Sequence, residues 1–166
     1  MIGFWSAIAL ASAPAASGIN AELNDIYERI AAAAAQRDPL LSRQAYSPDA
    51  AFLDERRPAM QIGDELHQSM RESMEALGRS GAQARISYRV ARRSVQGNVA
   101  IDSGYYRVVF TPPGEGASPA ASYRKFLVTA ERLSDGNWYI TNDASLPSSQ
   151  EAYERSEPSA GLKFDP

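Results

Sequence analysis

The chain changes hydrophobic period near its middle. Over residues 19–37, apolar side chains recur every three or four positions, at Ile19, Leu23, Ile26, Tyr27 and Ile30, and lead into five consecutive alanines, Ala31 to Ala35. That spacing puts them on one face of a helix, and alanine is the best helix former. Ser17 or Asn20 can cap its start. Asp38-Pro39 ends it, because proline disfavours helical geometry in the residue before it. Residues 40–46 predict a short second helix stopped by Ser47-Pro48, and residues 49–54, with Ala50-Ala51-Phe52-Leu53, a short strand. After the polar loop 55–58 and Gly63, the residues Leu66, Met70, Met74 and Leu77 trace one face of a third helix, with Gly78 as its C-cap glycine.

From residue 86 the period falls to two. Ile86, Tyr88 and Val90 alternate with Ser87, Arg89 and Ala91. Gln96-Gly97-Asn98 predicts a hairpin turn and residues 99–111 its return strand. Residues 112–119 hold three prolines and two glycines, which a sheet ladder does not accommodate, so they form a loop. Residues 123–133 and 138–146 are the last two strands, turned by Ser134-Asp135-Gly136-Asn137. Helices followed by an antiparallel meander imply an α+β fold with the helices on one face of the sheet. Three segments result: an apolar extension over residues 1–18, one domain over 19–146, and a polar, proline-punctuated tail over 147–166 expected to be flexible.

Residues 2–11 are apolar or small and residues 12–18 small, apart from Pro14, which matches the core and cleavage region of an export signal. Cut sites fall after Ala15 or Gly18. No Lys or Arg precedes the apolar run, which departs from that pattern. The expectation is a periplasmic or secreted protein, with a cytoplasmic one as the alternative. The run is shorter than the ~20 apolar residues a membrane span needs, so stable insertion is not expected.

Composition removes several functions. With 17 basic against 20 acidic residues the chain lacks the basic excess of a nucleic-acid binder. It has no Cys and a single His, which excludes disulfides, thiolate chemistry and multi-His or Cys metal centres. No cofactor and no metal are expected.

Four local patterns, in this order, resemble the nuclear transport factor 2-like (NTF2-like) superfamily and its small bacterial SnoaL-like and DUF4440-type members. They are Tyr46-Ser47-Pro48-Asp49-Ala50, the helix start Gly63-Asp64-Glu65-Leu66, Tyr105-Tyr106-Arg107-Val108, and Asp135-Gly136-Asn137-Trp138-Tyr139-Ile140. The resemblance covers residues 19–146. It implies a cone: a curved antiparallel sheet of four long strands and a short one, closed by about three N-terminal helices, with a cavity at the wide end. The superfamily includes isomerases, epoxide hydrolases, cyclases and dehydratases, so the fold alone does not name a reaction.

Strand parity supplies a candidate lining. Side chains alternate across a sheet, which groups Tyr88, then Asp102 and Tyr106, then Phe126 and Val128, then Trp138 and Asn142 on the inward face. With Tyr27 and Asp54 these form an apolar hollow with few polar groups, the composition of a site for a small apolar or amphipathic ligand. Asp54 falls where the resemblance to ketosteroid isomerases places a general base, and an Asp in an apolar cavity has its pKa raised toward that role. The competing expectation pairs Asp54 with Arg56 or Arg57 at a solvated loop. Tyr27 and Tyr106 are candidate hydrogen-bond donors, although the positions matching the isomerase donors are Ile30 and Val128, which cannot donate. A water-activating cluster of Asp54, Arg124 and Asp102 is a further arrangement. The function expected is binding of a small, largely apolar molecule, with a cofactor-independent isomerase, cyclase or hydrolase as the alternative. A third reading is a protein-interaction domain. The opposite face is also apolar, at Val99, Ile101, Tyr105, Val109, Leu127 and Tyr139, which predicts a homodimer through the outer sheet face.

Overall fold

The computed structural model describes residues 13–159 and 162–164, so most of the candidate export segment lies outside the described residues. Helix α1 (Ala13–Gln36) buries Leu23, Ile26, Tyr27, Ala31 and Ala34 along the predicted stripe. Each fully buried aliphatic chain contributes roughly 1.5–3 kcal/mol. Asp38 caps α2 (Pro39–Arg43) by accepting from the Leu40 amide at 2.8 Å, with Pro39 in the first turn. Strand β1 (Tyr46–Asp54) and the two-residue β2 (Gln61–Ile62) precede α3 (Asp64–Ser80). The cap of α3 is Gly81, at φ 71°, three residues beyond the expected Gly78. Only a left-handed residue lets the chain leave the helix there.

Four long strands follow: β3 (Gln83–Gln96), β4 (Val99–Thr111), β5 (Ala120–Arg132) and β6 (Trp138–Pro147). They pair antiparallel in sequence order, and β1 joins the free edge of β6 in parallel. The parallel contact departs from the expected all-antiparallel sheet. It closes one side of a curved seven-stranded sheet of order β2-β1-β6-β5-β4-β3-β7.

Two bulges reset the alternation of side chains. The first lies between Val90 and Arg92 of β3, opposite Gly104. A Cβ on Gly104 would stand 2.0 Å from the Arg89 carbonyl oxygen, so only glycine fits beneath the bulge. Beyond it Arg93 turns inward and pairs with Asp102 at 2.7 Å, both side chains 4% exposed. The second bulge, between Thr129 and Ala130 in the β5 register, leaves Thr141 of β6 as the extra residue.

The segment expected to be a flexible tail holds two elements among its described residues. They are α4 (Gln150–Arg155) and β7 (Lys163–Phe164), and β7 pairs with β3. Tyr153 and Leu162 are buried. Helix α4 lies on the outer face of the sheet, where the Tyr153 ring meets Tyr123 and Arg89. The Arg89 guanidinium donates to the carbonyls of Tyr153, Glu154 and Ser156 and so closes the C-terminal end of that helix.

Candidate functional site

A cavity of about 280 Å³ opens between the inner face of the sheet and helices α1, α2 and α3. Ile30 of α1 and Met70 and Met74 of α3 form its roof; Ile86, Val108, Val128 and Ile140 form its floor. One wall is aromatic. The Tyr27 and Tyr88 rings lie 4.9 Å apart, Tyr88 and Tyr106 5.5 Å, and Tyr88 and Phe126 5.9 Å. These tilted and edge-to-face pairs pack against one another and present an apolar surface.

Several predicted residues face this space: Tyr27, Asp54, Tyr88, Tyr106, Phe126 and Val128. Three do not. Trp138 is buried in the core and donates its indole N–H to Glu22 at 3.0 Å. Asp102 is buried between Arg93 and Tyr27, accepting the Tyr27 hydroxyl at 2.7 Å. Tyr27 therefore gives the cavity its ring, and its proton is already committed. Asn142 is exposed on the outer face, because the bulge at Thr141 reverses the alternation and turns Asp143 inward instead.

Asp54 is 2% exposed but is not a strong base. The guanidinium of Arg56 grips both carboxylate oxygens, and Arg124 donates to Oδ1 at 3.0 Å. Hydrogen bonds from Arg56, with the charges of both arginines, hold this carboxyl well below the usual carboxylate range despite its burial. The expected rise in its pKa is overturned, and the ion pair with Arg56 is what the structure shows. Arg124 also donates to Glu55, to the Ser145 carbonyl and, at 2.9 Å, to Ser145 Oγ. Ser145 Oγ shares a 2.7 Å hydrogen bond with the Tyr106 hydroxyl. The cluster of Asp54, Arg124 and Asp102 does not form, since Asp102 belongs to Arg93.

The titratable pair that parity missed is Tyr46 and Asp143. The Tyr46 hydroxyl donates to Asp143 Oδ2 at 2.8 Å, across the parallel β1–β6 contact. Removal from water pushes the Asp143 carboxyl up to about 6; the negative charge of Asp54 adds to this, while Tyr46 and Arg124 oppose it. Burial also raises Tyr46 well above the ordinary phenol value, so it stays a proton donor. Two further polar groups face the cavity without a hydrogen-bond partner among the described residues, the Tyr88 hydroxyl and the Gln61 amide. One sign in the sequence pointed to Asp143. Thr141-Asn142-Asp143 is a run of three polar residues in a half-buried strand, and alternation alone cannot turn all three outward. Among the described residues no cluster of His, Asp or Glu is grouped to hold a metal ion.

No family model matches the sequence, and no curated protein matches it in sequence. Solved structures do match in shape. An NTF2-like superfamily protein from Salmonella enterica serovar Typhimurium superposes with a TM-score of 0.63 at 13% identity, covering 86% of this chain and 99% of that one. A ketosteroid isomerase-like protein from Erwinia carotovora atroseptica gives 0.60 at 13% identity, over 78% of this chain and 95% of that one. A conserved protein from Planctomyces limnophilus gives 0.64 at 15% identity, over 80% and 99%. Identities this low carry the architecture and not the chemistry. The curved sheet closed by helices, its cavity and these three superpositions together show that the chain has the NTF2-like fold.

Proposed function

We propose that the cavity binds a small, largely apolar molecule that carries one hydrogen-bonding group, such as a carbonyl. The observation that carries this reading is the convergence of unspent polar groups, the Tyr88 hydroxyl and Gln61 amide, beside the Tyr46–Asp143 pair in an otherwise apolar space. Ligand sites combine such an apolar lining with a few placed polar groups. The test is titration with the neutral fluorophore N-phenyl-1-naphthylamine. Fluorescence should rise on binding, and Val108→Trp, which fills the floor, should weaken binding at least tenfold with an unchanged circular dichroism spectrum. Binding indifferent to that substitution would refute the reading.

A second reading is favoured by one specific observation: Asp143, raised to about 6, is poised to take and return a proton near neutral pH. In this reading Asp143 acts as the base and the Tyr88 hydroxyl donates to the developing oxyanion. Exchange of the α-protons of 2-tetralone in D2O, followed by NMR, should then fall to the background rate in Asp143→Asn while N-phenyl-1-naphthylamine still binds.

We also propose that a second copy packs on the outer sheet face. Leu53, Ile101, Leu127 and Leu146 remain 43–53% exposed there, in adjoining strands, and a monomer rarely leaves such a patch open to water.

A further inference from the structure

The loop that follows β1 places two consecutive arginines, Arg56 and Arg57, at the cavity mouth. Both line the cavity, and with Asp54 and Ser73 they also line a shallow hollow just outside it. We infer that the bound molecule is amphipathic, with an anionic head, most simply a carboxylate, held by Arg56 and Arg57 while its apolar body fills the cavity. This deepens the cavity-binding reading above and rests on it.

At the rim Asp54 and Glu55 stand beside Arg56, Arg57 and Arg124, with Asp143 a further carboxylate deeper in the cavity, and the pairing among them leaves part of the cationic surface unengaged. The buried Arg124 engages both Asp54 and Glu55. Arg56 spends Nε and Nη2 on Asp54, which leaves Nη1 undirected on a side chain that is 65% exposed. Arg57 is exposed, and its side chain has no partner among the described residues; only its backbone N–H is used, donating to the Asp54 carbonyl at 2.9 Å. That bond closes the turn carrying both arginines and keeps them beside the opening. A guanidinium fork suits a carboxylate, which it can bind through two parallel hydrogen bonds. Most of the cavity wall is hydrocarbon and aromatic, so a chain or ring attached to that head is buried as the head is neutralised. Cationic groups gather at the rim, while the few polar groups within, Tyr46, Gln61, Tyr88 and Asp143, sit in a mainly apolar wall.

The experiment is calorimetric titration of the full chain with octanoate and with 1-octanol, at pH 7 and low salt. These two probes share a tail and differ in the head. Octanoate should bind about tenfold more tightly, the scale of one added charge-assisted hydrogen bond. The preference should shrink in high salt. Arg57→Gln, which touches no buried partner, should remove much of the preference, and Arg56→Gln/Arg57→Gln the rest, the preference being read as the ratio of octanoate to 1-octanol affinity within each variant. Equal affinities, or a preference that survives in the double variant, would overturn the anionic head while leaving the cavity reading intact. Failure of both probes to bind the native chain would overturn both readings, and failure of octanoate alone would overturn the anionic head.

Discussion

Replacing Asp143 by Asn offers a test of the cavity electrostatics that needs no ligand. Asparagine keeps the shape and the oxygen that accepts from the Tyr46 hydroxyl, but it cannot ionise. In the folded chain the carboxyl is raised from an ordinary 3.8 to about 6, because burial disfavours its charged form. A raised acid binds its proton more tightly in the folded state, so folding is penalised once the unfolded chain has released it. The penalty is absent well below pH 4, grows between pH 4 and pH 6, and is complete above pH 6. At ~1.4 kcal/mol per pH unit its ceiling is roughly 3 kcal/mol, and the residue's partial exposure lowers that. Urea unfolding of both proteins at pH 4 and pH 8 should therefore show the Asn variant gaining on the native chain by on the order of 2 kcal/mol between the two conditions. Other carboxylates titrate in both proteins and largely cancel in the difference. A difference that stays constant with pH, or moves in the native chain's favour as pH rises, would refute the claim that Asp143 is desolvated.

Arg124→Met should destabilise the fold by roughly 3 kcal/mol in urea unfolding, since the buried Asp54 would keep Arg56 alone and the Ser145 side chain and carbonyl would lose the Arg124 donor; a loss under about 1 kcal/mol would show that Arg56 suffices. Gly104→Ala should cost roughly 2–3 kcal/mol, seen as a fall in Tm, because its Cβ would collide with the Arg89 carbonyl rather than with a yielding side chain. An unchanged Tm would mean the β3 bulge can relax. Sedimentation velocity at micromolar concentration should find a dimer that Leu127→Asp converts to monomer; a native chain that is already monomeric there would remove the proposed outer-face assembly.

The helices and the meander were legible because their information is local. The stripe through Leu23, Ile26, Tyr27 and Ile30 needs only the helical repeat, and the hairpin at Gly97 needs only a residue that accepts φ 59°. The pairing of β1 with β6 joins residues about ninety positions apart and leaves no periodic trace in either segment. Bulges were the larger obstacle for the site. One extra residue at Thr141 exchanged Asn142 for Asp143, and one in β3 sent Arg93 inward to claim Asp102. Asp54 was found in the cavity wall, but its partners reversed the chemistry expected of it, since burial raises a carboxyl only where no cation intervenes. The C-terminal helix escaped notice because it is anchored by a single aromatic, Tyr153, in a polar stretch too short for a period to emerge.

Helix α4 has a consequence for how anything could approach the sheet from outside. It shelters the cross-strand row of Ser87, Arg107 and Tyr123, while the parallel row of Ser103, Leu127, Ala144 and Leu53 lies open beyond its edge. A visitor to that surface meets a step rather than a plain. It must align with the open strip and stop at the helix, so the chain's own last turns ration the footprint and dictate the angle of arrival.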